Sequence, residues 1–224
     1  MPTLLRRVRG SAQPYLLRIW NFFDGINAGE GDAERYRAFC IGRARAVDAD
    51  FHAPPPAATA IGTPPGGARG LQVVALCGAR PGVALENPRQ TPAWRYPREY
   101  GPVAPGFSRG AVLGEGEQAV LLASGTASIV GHVSRHVGDV EAQLEESLRN
   151  LEALLAEGQA RCGTRFSLSR CHGLRAYLRH PRDAATVLAR LQARLGAEVP
   201  VRLLHGEICR RELDVELEGV FGSD

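Results

Sequence analysis

One stretch of this chain leaves little choice of structure. Val140, Leu144, Leu148, Leu151 and Leu155 recur at three- and four-residue steps, so they share one face of an α-helix. Asp139 stands where an N-cap belongs, and Gly158 is the expected stop. A helix with one apolar stripe must bury it on another layer, and the residues that follow can supply that layer. In GLRAYLR, residues 173–179, Leu174, Ala176 and Leu178 alternate as a strand does. Residues 181–196 open with Pro181 at a first helical position and close on Gly196. Residues 199–221 supply a last strand or pair of strands. Upstream, LQVVALCGA (residues 71–79) reads as a buried strand. AVLLASGTASIVG (residues 119–131) reads as another, breaking into small residues at 124–128. The order strand, strand, helix, strand, helix, strand predicts an α+β fold, a mixed sheet with two helices packed on one face.

The first third is less regular. Residues 33–47 read as a helix with Tyr36, Phe39 and Cys40 on one side and arginines on the other. The opening LLRRVRG holds Arg6, Arg7 and Arg9, with no apolar run after it long enough for a signal peptide or membrane span. It reads as a solvated arm on a cytoplasmic protein. Residues 51–70 are dominated by Pro, Gly and Ala and read as a connection, because proline cannot donate to a ladder. The proline- and aromatic-rich segment at residues 88–107 has the make-up of a loop that lines a pocket.

Composition narrows the function. A net charge of +3 without a dense basic tract gives no footing for a nucleic-acid partner. Five cysteines, an odd number without a C-x-x-C pair, fit reduced thiols rather than a disulfide framework. Cys162, Cys171 and His172 match no common zinc spacing. His132 and His136 would share a face only on a helix, which the flanking glycines oppose, even with Asp139 close by. Neither a phosphate loop nor a dinucleotide fingerprint occurs, so no metal or cofactor is expected.

The segment RRELDVELEGVF, residues 210–221, alternates Leu213, Val215 and Leu217 with Asp214, Glu216 and Glu218. Three carboxylates on one strand face are either a solvated surface or the setting of a placed acid. Tyr96, Tyr100 and Arg109, with Arg95 and Arg98 nearby, join Arg179, Cys209 and Glu216 as candidates for a pocket binding a small, ring-shaped anion. Arginine forks suit carboxylates. Each also has a plainer reading: Arg109 at the surface, Tyr96 packing a loop, Cys209 in the core, Glu216 solvated. Patterning alone leaves a small-molecule enzyme or a binding module.

Several blocks go further: LLRIWNFFDGIN, ERYRAFCIGRARAVD, PAATAIG, ENPRQTPAWRYPREYGPVAPGFSRG, SGTASIVGH, GDVEAQLEESLRNL, LRAYLRHP and LLHGEICRRELDVELEG. Together, over residues 15–220, they resemble the chorismatase family. The resemblance implies a RidA/YjgF-like (chorismate-mutase-like) fold, with chorismate as substrate and pyruvate as a product. It implies that residues 1–70 are an arm, a helix and a connection left from a front domain that typical members carry, and that residues 71–224 are the catalytic domain.

Position by position, the resemblance makes Glu216 the general acid that protonates the enolpyruvyl methylene. It makes Tyr96 and Arg109 substrate contacts. Arg179 is a candidate for the second carboxylate, with Arg95 and Arg98 as alternatives. Gly125 and Cys209 fall on two positions that vary with product, and here they look like the hydroxybenzoate-forming members, with Gly125 leaving room for the substrate ring and Cys209 a catalytic residue that steers or excludes water. The short form implies 4-hydroxybenzoate ahead of 3-hydroxybenzoate, and a homotrimer. The general acid must stay protonated near neutral pH, and Asp214 and Glu218 would help if they lie close. A RidA-like imine or enamine deaminase and a non-catalytic aromatic-acid-binding module are the rival readings.

Overall fold

The computed structural model describes residues 2–48, 51, 54–64 and 70–224. Its first element, α1 (Pro2–Arg9), buries Leu5 and Val8, three residues apart on one helical face. Leu5 joins Ile19, Phe51 and Ala58 in a small apolar cluster, so the opening segment is docked and is not a free arm.

β1 (Tyr15–Asp24), α2 (Arg35–Ala46) and β2 (Ala57–Thr63) form a β-α-β unit whose two strands pair in parallel, from Arg18↔Ala57 to Asp24↔Thr63. β3 (Gln72–Gly78) pairs antiparallel on the other side of β1, giving a three-stranded sheet in the order β2-β1-β3. Two expectations fail here. The connection at residues 51–70 contains β2, because its prolines at 54–56 and 64 flank residues 57–63 without entering them and leave the ladder donors intact. β3 is an edge strand with Val74 and Leu76 exposed, not a buried one. A boundary at residue 70 would therefore divide one sheet. Residues 65–69 of the Pro/Gly stretch lie outside the described residues.

The second sheet is built from β4 (Val83–Leu85), β5 (Gly110–Leu113), β6 (Val120–Ala127), β9 (Phe166–Leu178), β10 (Val201–His205) and β11 (Val215–Ser223). A small hairpin, β7 (Ile129–Val130) with β8 (Val133–Ser134), projects beside it. The order is β10-β9-β11-β6-β5-β4, with β10 parallel to β9 and the other pairs antiparallel, so the sheet is mixed as expected. α3 (Val140–Cys162) and α4 (Ala184–Leu195) pack on one face. Leu144, Leu148, Leu151, Leu154 and Leu191 meet Leu174, Val215, Leu217 and Phe221 in the main core. Each fully buried leucine there contributes about 2 kcal/mol.

Asp139 caps α3, its carboxylate accepting from the Ala142 amide at 3.0 Å. The helix passes through Gly158 and ends at Gly163, which takes the left-handed conformation at φ 70°. Gly158 is a packing residue: a Cβ there would stand 2.6 Å from Leu121 Cδ1. The small residues of β6 likewise continue the strand and admit a neighbour, since Ser124 Oγ accepts from the Ala58 amide of β2 at 3.0 Å. No described helix is long and apolar enough to cross a membrane.

Candidate active site

β11 lies between β9 and β6, with Glu216 opposite Tyr177 on one side and Ala127 on the other. Val215 and Leu217 point into the helix-covered core. Glu216 and Glu218 point to the opposite face, which β1 and β2 cover, so each carboxylate is only 4% exposed. The period-2 pattern is therefore a strand buried on both faces, and its carboxylates are placed.

Glu218 is saturated with donors. Its carboxylate accepts from Arg18 Nη2 (2.8 Å), Thr59 Oγ1 (2.6 Å), Trp20 Nε1 (3.0 Å), Arg175 Nη1 (2.9 Å) and the Tyr177 hydroxyl (2.9 Å). Glu216 accepts no hydrogen bond from any described residue and faces a cleft of about 500 Å³. Burial, and then the charge of Glu218, push its pKa up to about 8 against the opposing pull of Arg18 and Arg109. At neutral pH it holds a proton. Asp214 plays no part in this: it lies outside β11, beside Gln143 and His180.

Gly125 of β6 is where the backbone passes the acid. A Cβ on it would meet Glu216 Oε1 at 2.0 Å and Thr59 Oγ1 at 3.1 Å, so only glycine leaves the carboxyl its place. Cys209 also lines the cleft, and burial followed by the Glu216 charge push its thiol up to about 12. The thiol is therefore neutral under ordinary conditions and is not activated as a nucleophile.

Tyr96 and Arg109 enter the cleft together, with Arg109 Nη2 donating to the Tyr96 hydroxyl (2.8 Å) and to the Thr91 carbonyl (2.9 Å). Arg109 Nε is buried and meets no acceptor among the described residues. The same is true of Nη2 of Arg210 and Nη2 of Arg43, both of which line the cleft. Arg210 is fixed by stacking over Tyr100 at 4.0 Å and by donating Nη1 to the His132 carbonyl at 2.8 Å. Buried donors of this kind are costly unless an acceptor arrives. Three in one cleft suit a ligand that carries carboxylates.

Arg179 does not belong to this cleft. Its guanidinium donates to the carbonyls of Leu213 (2.9 Å), Ile208 (3.2 Å) and Arg210 (2.9 Å), tying down the loop between β10 and β11. Arg95 is exposed, and Arg98 pairs with Asp32 at the surface at 2.5 Å. Arg210 and Arg43, rather than Arg179, bring unpartnered donors to the cleft. His136 pairs with Glu146 at 3.3 Å and His132 lies 4.0 Å from Glu99, so the two histidines are built into different contacts.

Two missed residues had a signal. Arg43 repeats the Tyr36–Cys40 spacing and so shares their buried face, contrary to the expectation that the arginines lie opposite. Arg18 interrupts the apolar run of β1, and a charge in a buried strand demands a partner. Arg210 carried no such mark.

A crystal structure of a chorismatase superposes with a TM-score of 0.87 at 38% identity, covering 98% of this chain and 67% of that one. The chain belongs to the chorismatase family. The family description "Chorismatase FkbO/Hyg5-like, N-terminal" matches residues 2–77, the segment that holds the three-stranded sheet. A chorismatase of Streptomyces rapamycinicus is 43% identical over 215 residues, 92% of this chain and 64% of that protein. A 3-hydroxybenzoate synthase of Streptomyces hygroscopicus is 35% identical over 219 residues, 92% of this chain and 63% of that protein. The chain thus spans a little under two thirds of the length of these relatives.

Proposed function

We propose that the protein converts chorismate to a hydroxybenzoate and pyruvate, with Glu216 as the general acid. One observation carries this reading: a buried carboxyl that keeps its proton, aimed into a cleft that also receives three unpartnered guanidinium donors. Arg109 and Arg210 bind the two carboxylates of the substrate and hold the enol ether against Glu216. Glu216 protonates the methylene carbon, giving an oxocarbenium-like centre. The bond between the ring and the ether oxygen then breaks, pyruvate leaves, and the ring cation loses a proton to become aromatic. One proton enters at the methylene and one leaves the ring. The neutral thiol of Cys209 keeps water from the cation, and Gly125 gives the acid its position.

The proposed product is 4-hydroxybenzoate, with 3-hydroxybenzoate next; one relative is named a 3-hydroxybenzoate synthase. Incubation with chorismate, followed by chromatography against both standards and a coupled assay for pyruvate, tests the function and assigns the isomer in one run. A dihydroxycyclohexadiene acid as the product would assign hydrolysis instead, and no turnover would refute the proposal. Arg210→Met is expected to raise KM by about tenfold or more, as loss of a charge-assisted contact does. The expected cytoplasmic homotrimer is part of the proposal, and light scattering that finds a monomer removes the trimer.

A further inference from the structure

We infer that Glu218 is a positioning residue for catalysis: a fixed negative charge, built into the strand two residues beyond the acid, that keeps Glu216 in its proton-donating form. This inference rests on the reading of Glu216 as the acid. Its basis is geometric. Glu216 and Glu218 share one face of β11, both are buried, and water cannot screen one from the other.

Five donors hold Glu218 in a single orientation. Two of them, Arg18 and Arg175, are cations that pair with it at 2.8 and 2.9 Å. Thr59 is the hinge of the arrangement. It receives from Arg18 at 2.5 Å and from the Gly125 amide at 2.9 Å, and donates to Glu218 at 2.6 Å, which closes the wall between the two carboxyls. No donor crosses that wall to Glu216 from the described residues. The other groups facing Glu216 are Arg109 at the head of β5, Tyr177 on β9, Tyr36 and Arg43 on α2, and Cys209 before β11. Burial raises Tyr36, Tyr177 and Cys209 far enough that all three stay neutral. The charge balance at the acid is therefore Glu218 against Arg18 and Arg109.

The sign of each substitution follows. Glu218→Gln removes a negative charge and leaves Arg18 unopposed, so Glu216 gives up its proton more readily. The alkaline limb of kcat/KM, which reports the free enzyme, is expected to move down by about one pH unit or more. Arg18→Met removes a positive charge, and the limb is expected to move up. A merely structural role for the network would lower the melting temperature of both variants without moving their limbs in opposite directions. Limbs that stay put, or move together, overturn the inference.

Infrared titration of the protonated carboxyl band, assigned by its loss in Glu216→Gln, follows the same proton without turnover. It keeps the test alive if either variant is inactive. Arg175→Met, at a half-exposed position, serves as a milder cation deletion if Arg18→Met does not fold. An active Glu216→Gln would refute the acid itself. An inactive Glu216→Gln with an unmoved band in Glu218→Gln would refute only the role of Glu218.

Discussion

Glu216 and Glu218 stand two residues apart on one strand, face the same way and are equally buried, yet their surroundings are opposite. The carboxylate of Glu218 is met by two guanidiniums, an indole, a phenol and a threonine hydroxyl. That of Glu216 is met by no protein donor among the described residues and by the bare backbone of Gly125. The protein solvates one acid completely and withholds solvation from the other. Folding can tolerate a buried charge that is fully paired; chemistry needs the one that is not, because a carboxyl without donors keeps its proton.

The severest test removes the unsolvated acid. Glu216→Gln is expected to lower kcat by about 10³-fold, within the range of general acid catalysis, while circular dichroism shows the fold retained. Retained turnover would erase the contrast between the two positions.

Removing the solvated acid tests the other half. Glu218→Ala leaves Arg18, itself 2% exposed, as an uncompensated buried charge, and should cost about 3–5 kcal/mol in urea unfolding. A loss under 1 kcal/mol would mean that the network is not what binds the two sheets.

The contrast also has a pH signature. The folded-state pKa of Glu216, about 8, lies above its unfolded value of 4.5. The folded state therefore binds more protons between these values, and stability falls as pH rises through that window, by a few kcal/mol. Melting curves of the wild type and Glu216→Gln should diverge from about pH 5 to pH 8 and run parallel beyond. Parallel curves throughout would show that Glu216 is ionised at neutral pH.

Gly125→Ala sharpens the picture further. The added methyl occupies the space of Glu216 Oε1, so the acid must turn away, and kcat should fall about 10–100-fold, the scale of a misplaced reacting group. The product ratio measured alongside tells whether the displaced acid also admits water. Arg98→Ala is the smallest case. Its partner Asp32 lies at the surface, and both the melting temperature and kcat should stay unaltered.

The helix-covered sheet was legible in the sequence because it obeys periodicity: capped α3, α4 just after the turn that Pro181 opens, and the alternating β9 and β11 all stand close to where spacing puts them. It did not show that the far side of β11 is covered, since alternation marks two faces without saying whether water or protein lies on the second. β2 was hidden among prolines that turned out to flank it. In the site, Glu216, Tyr96, Arg109, Gly125 and Cys209 meet in one cleft; patterning raised four of them only as candidates with plainer readings, and the family resemblance singled them out and added Gly125. Arg179 was misread because an arginine at a strand end can serve carbonyls as well as ligands. Arg210 could not have been chosen among its neighbours, because its place depends on Tyr96 and Tyr100, more than a hundred residues earlier, folding beneath it.

The bond between Arg18 and Glu218 closes a loop of 200 residues, and β11 enters the middle of a sheet whose other strands all precede it. Contacts so distant in sequence form slowly, because the chain must give up its freedom before they repay it. The acid's environment is therefore expected to assemble late. Until β11 has docked between its neighbours, Arg18 has no carboxylate and there is no cleft. In a refolding experiment the recovery of the proposed turnover should trail the recovery of helix signal, and the interval between them would time the docking of β11.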